Sequence, residues 1–174
     1  MSQMDRTRAW TSGAIAGLVG GVGMGVVLQF GTDVMAIIGA LVGVESAPAG
    51  WAVHLAIATA FGVLFVAAFD RPFFDELRTT VSGCLSLGVA HSAALGLLTG
   101  GVVLPASIAF SDGSSLPIAA LPLPGVTAGI EVGVVIAVSH LVYGLVLGGT
   151  FAHRVGATVD VRWWPAGAAE EPGS

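Results

Sequence analysis

The chain has 174 residues, of which 55% are hydrophobic and 10% charged, with a formal net charge of −5 and one cysteine. A soluble domain carries about 25% charged residues, and so small a globule has too much surface to cover with fewer. The acid surplus excludes nucleic-acid binding, which needs a basic face. The absence of lysine excludes a Schiff-base lysine, a phosphate-loop lysine and the kinase strand lysine.

Four long apolar stretches follow one another, at about 10–31, 50–69, 79–104 and 126–152. Each reaches the roughly 20 residues that cross the hydrocarbon at about 1.5 Å per residue. In lipid the backbone has no water partner, so each stretch is predicted to be helical. The sequence therefore reads as an all-α membrane protein. It has an N-terminal segment 1–9, a four-span membrane domain 10–152 and a tail 153–174, of which the part from about 165 has the composition of a disordered segment. The first stretch is too long for a cleaved signal and is read as a permanent span. Trp10 and Trp51 stand at span ends, where amphipathic rings favour the headgroup layer.

The first span carries Gly13, Gly17, Gly21 and Gly25, an unbroken stripe at spacing four. Such a stripe puts small residues on one helix face and lets another backbone come close. After it comes DVMAIIGALVG at 33–43, apolar but too short to span. It predicts a short outer interfacial helix, capped by Thr32 or Asp33 and ended by Gly43. The second span carries His54, Ala58 and Gly62. The connection Asp70–Arg78 is short and charged, which predicts that spans two and three are antiparallel neighbours. The third span repeats the stripe as Gly88, Ser92, Gly96 and Gly100, and the fourth carries His140, Gly144 and Gly148. Stripe, then histidine with small residues, thus occurs twice, the pattern of a duplicated two-helix hairpin in parallel orientation. Between these spans, 105–125 holds Pro105, Pro117, Pro122 and Pro124 and reads as irregular.

All six arginines fall on one side of these spans. Arg6 and Arg8 precede the first, Arg71 and Arg78 separate the second and third, and Arg154 and Arg162 follow the fourth. Short-loop arginine bias fixes orientation, so both termini are predicted in the cytoplasm of a cell-membrane protein.

Ionisable groups inside a membrane are costly and become functional candidates. Here they are His54, His91, His140 and Glu131. Counted along the helices from Arg71, Arg78 and Arg154, the three histidines lie about 20–25 Å from the arginine side, in one layer. Three neutral imidazoles in one layer are candidate ligands for a transition metal, and two of them for haem iron. They could also line a proton or solute pathway, or be satisfied core histidines. Glu131 and His140 are nine residues apart, on opposite helix faces. Lone Cys84 reads as a small core residue. No hydrolase, zinc-protease, phosphate-loop or dinucleotide motif is present. The residues thus point to a non-enzymatic subunit, packing partner or assembly factor in the bilayer, with a membrane-protein partner or a second copy of itself. The alternatives are a small transporter or channel and a redox subunit holding haem or metal.

Three pieces carry a resemblance: GAIAGLVGGVGMGVV at 13–27, IIGALVGVESAPAGWAVHLAIATAFGVLF at 37–65 and SHLVYGLVLGGTF at 139–151. Together they resemble an uncharacterised family of small four-span integral membrane proteins of halophilic archaea. The resemblance implies the four-span fold and agrees with the lysine-free, acidic composition. It brings no activity, so no catalytic residue follows from it.

Overall fold

In a computed structural model of the chain, residues 3–32, 34–99 and 130–159 are described, the side chains of 3–6 and 130–132 excepted. The main elements are α1 (Gln3–Thr32), α2 (Met35–Ala40), α3 (Ala47–Phe69), α4 (Asp75–Arg78), α5 (Val81–Leu98) and α6 (Ile130–Val155). A single turn of 3₁₀ helix (Pro72–Phe74) precedes α4. Four of these helices are long and apolar enough to cross a membrane: α1, α3, α5 and α6. The protein is all-α, and its apolar helices suit a lipid bilayer. The expected outer loop 105–125, Gly100, Arg162 and the tail from 160 onward lie outside the described residues.

Helix starts follow local chemistry. Ser46 opens α3 in extended conformation, and its hydroxyl accepts from the Ala49 amide, with Pro48 in the first turn. Thr80 does the same for α5 through Gly83 N–H at 3.1 Å. Within the spans, the Thr32, Thr59, Ser86 and Thr99 hydroxyls donate to carbonyls four residues back. Such back-bonding satisfies a hydroxyl that lipid cannot.

A short helix forms within 34–43; of the two caps expected for its start, Asp33 lies outside the described residues and Thr32 does not serve. Thr32 remains in α1, bonded to Leu28, and the residue before α2 is Val34, with no side-chain cap. Its end is closed by Gly43, at φ +81°, with Gly43 N–H on Ala40 O and Val44 N–H on Gly39 O. That paired pattern uses the left-handed freedom of glycine. α2 folds back onto the start of α3. Met35 is fully buried, and its carbonyl lies where a side chain on Gly50 would be.

The bundle has three intimate edges and one wide one. α1 lies against α3 and α6, and α6 lies against α5. On the α1–α3 edge, a Cβ on Gly17 would stand 2.5 Å from Ala58 O and 2.7 Å from Gly62 Cα. On the α5–α6 edge, Gly88 opposes Gly144 and Gly148, and Gly148 opposes Cys84. The two hairpins, α1/α3 and α5/α6, are packed alike: Gly25 faces His54 as Gly96 faces His140. Spans two and three, α3 and α5, are neighbours that meet chiefly through large side chains. Corresponding positions give the reason. Three residues after Gly17 stands Gly20, where an added Cβ would lie 3.1 Å from Tyr143 O, so a hydrogen there lets α6 come close. Three residues after Gly88 stands His91, whose ring fills the space toward α3. A ring where the other hairpin has a hydrogen holds the fourth edge open.

The arginine-bearing helix ends are tied together. Arg78 pairs with Asp70 at 2.7 Å and also donates to Phe69 O. The chain after α6 pairs with the start of α5, through Val81 N–H on Thr158 O and Thr158 N–H on Thr79 O.

Candidate functional site

The polar groups between the helices are the candidates for chemistry, and each of the three histidines takes its own carbonyl. His54 on α3 is buried, and its Nε2–H donates to Gly21 O of α1 at 2.9 Å. His91 on α5 is buried, and its Nε2–H donates to Phe61 O of α3 at 3.0 Å. His140 on α6 is only half-buried, and its Nδ1–H donates to Ile136 O of its own helix at 2.9 Å. A carbonyl can only accept, so each contact names the nitrogen that carries the proton of a neutral ring. Glu131 falls in the first turn of α6, and its side chain lies outside the described residues.

The surroundings of the rings differ as well. His54 meets Trp51 edge-on at 6.1 Å, and Trp51 Nε1 donates to Gln29 of α1. His91 sits against Phe65 at 5.5 Å and Phe69 at 6.0 Å. Phe65, 1% exposed, also meets Phe151 of α6 edge-on at 5.2 Å. Edge-to-face rings at these separations attract beyond their area burial. His140 lies over Gly96, where a Cβ would come 2.9 Å from its ring. Among the described residues, no three His, Cys, Asp or Glu side chains come together in a way that could hold a metal ion. Each ring of the histidine layer seen in sequence thus has a carbonyl partner of its own.

Two more polar groups complete the set: Tyr143, which the sequence reading did not single out, and Ser92, which it placed in the small-residue stripe. The Tyr143 hydroxyl crosses the bundle to donate to Ala58 O at 2.8 Å. Ser92 Oγ donates to His140 O across the α5–α6 edge. Tyr143 is the one tyrosine of the chain and lies mid-span. A buried phenol needs an acceptor, which is a signal readable in sequence. Among the described residues, every buried side-chain nitrogen or oxygen has a hydrogen-bond partner. The rings leave a cavity of about 10 Å³ beside Phe65, Phe69 and the Asp70–Arg78 pair. That is space for about one water. Cys84 is fully buried, with its thiol on Arg78 O at 3.5 Å.

Compared with known protein families, characterised proteins and solved structures, the chain matches none.

Proposed function

We propose that this is a non-enzymatic protein of the cell membrane, with both termini in the cytoplasm, which serves as a subunit, packing partner or assembly factor for another membrane protein. One observation supports it most. Among the described residues, the intramembrane polar groups are spent as ties, chiefly between helices: His54 to α1, His91 and Tyr143 to α3, and Ser92 to α6. A catalytic or transport site needs polar groups aimed at a ligand in a concave space. Here those groups stabilise the scaffold, which leaves the outward faces of the helices for contact. The acidic, lysine-free composition supports a salt-loving archaeal source within the same reading.

Purification in a mild detergent from the native membrane tests this. The expected result is one stoichiometric complex with a second membrane protein or with further copies of this chain. Solute flux in liposomes of the isolated protein, abolished by His54→Ala or His91→Ala, would replace the reading by a transporter. A Soret band or a stoichiometric transition metal would replace it by a redox subunit.

A further inference from the structure

The connection between α3 and α5 is held in place from both ends. Phe74 N–H bonds to Arg71 O and closes the 3₁₀ turn, while Arg78 ties back to Phe69 O and to the Asp70 carboxylate. The Leu77 carbonyl lies where a side chain on Gly83 would be, and the Cys84 thiol meets Arg78 O, so the segment is seated on the start of α5. From this fixed segment the Phe73 ring stands 84% exposed. Its one ring contact, among the described residues, is edge-on with Phe74 at 4.9 Å, and Phe74 in turn meets Phe69 at 4.9 Å. Leu77, one turn further on, is 41% exposed. A segment so tied cannot fold these side chains away. Its height in the membrane follows from a neighbour. Ala9 of α1 lines the same small cavity as Phe69, Asp70 and Arg78. The next residue is Trp10, 37% exposed, of the ring type that favours the headgroup layer. The connection therefore lies level with the headgroups, beside the ends of two spans.

We propose that Phe73 and Leu77 form an anchor that dips into the bilayer on the arginine side, with the acyl-chain boundary of that leaflet as its partner. The proposal rests on the reading of the four long helices as membrane spans. Apolar side chains fixed at headgroup level reach lipid without leaving the membrane surface, and burial there removes them from water. Asp75 and Glu76, between them in sequence, are exposed and belong to the water side. Those carboxylates would be repelled by anionic headgroups, so the anchor is apolar and needs no charged lipid. Phe73 is joined ring by ring, through Phe74 and Phe69, to His91 on the wide edge. The anchor thus sets the height of that edge against the leaflet.

Spin labels on single cysteines of the full-length protein, in phosphatidylcholine vesicles, test the proposal. Relaxation by oxygen against relaxation by a water-soluble nickel chelate reads the depth of each label. The background is Cys84→Ala, or Cys84→Ser if Cys84→Ala fails to fold. Labels on Phe73→Cys and Leu77→Cys should lie about 5–10 Å into the headgroup–acyl boundary. Labels on Asp75→Cys and Glu76→Cys should lie in water, and high salt should leave all four depths unchanged. Leu64→Cys, within α3 and 50% exposed, reads the span itself. Oxygen-rich surroundings at Leu64→Cys with water at Phe73→Cys and Leu77→Cys would overturn the anchor and leave the spans standing. Water at all three would overturn both. Equal depth for the four connection labels, or withdrawal of Phe73→Cys in high salt, would also overturn the anchor, since no apolar face would then be holding it.

Discussion

Gly17→Ala is the sharpest test of how the α1–α3 edge is held. The added Cβ would stand 2.5 Å from Ala58 O, 2.7 Å from Gly62 Cα and 2.9 Å from Gly62 N. All three are backbone atoms of α3, so no side chain can swing away. Restoring ordinary contact requires the helices to part by about 1 Å, and overpacking of this kind costs about 1–3 kcal/mol. The same movement stretches the His54–Gly21 bond, now 2.9 Å. Cys84, the only cysteine and fully buried, serves as the reporter, since a thiol-reactive fluorophore reads its exposure on heating. At a fixed temperature in the transition, the labelled fraction relative to unlabelled should rise about 5- to 150-fold, the equivalent of that free energy. Gly17→Leu should be worse still. Val19 is 43% exposed on another face, and Val19→Leu should shift stability by no more than about 0.5 kcal/mol. Equal shifts for Gly17→Leu and Val19→Leu would refute the reasoning, because the cost would then belong to the helix and not to the contact.

Three more outcomes are expected. Tyr143→Phe removes only the hydroxyl on Ala58 O and should cost about 0.5–1.5 kcal/mol in the same thiol assay; no change would mean that the bond is not formed in the membrane. His91→Ala empties the space between Phe65 and Phe69 on the wide edge and should destabilise more than His140→Ala, since His140 bonds only to its own helix through its ring; the reverse order in thermal unfolding would remove the role given to His91. In a Cys84→Ala background, Glu45→Cys should react with an impermeant thiol reagent on intact cells and Glu76→Cys should not, both positions being exposed at opposite ends of α3 and its connections; the opposite pattern would invert the orientation.

The legible part of this protein was its solvent. Long apolar stretches with almost no charge admit a bilayer and little else, and a backbone in lipid must be helical, so span number and class follow from composition and length. Turn chemistry was equally local: Gly43 after Ala40 marked the end of the short helix, because only a left-handed residue closes it that way. The spacing of Gly13, Gly17 and Gly21 marked a face without naming what meets it. That α3 covers this face, and that Gly20 brings α6 against the neighbouring one, depends on the tertiary arrangement. The same holds for the histidines. Depth along a helix can be counted from the sequence, and it placed His54, His91 and His140 in one layer. Rotation about the helix axis and the choice of neighbour decide contact, and these send the rings to Gly21, Phe61 and Ile136. A residue's height is a property of its own helix, whereas its partner is a property of the helix beside it, so only the packed bundle fixes what each ring does.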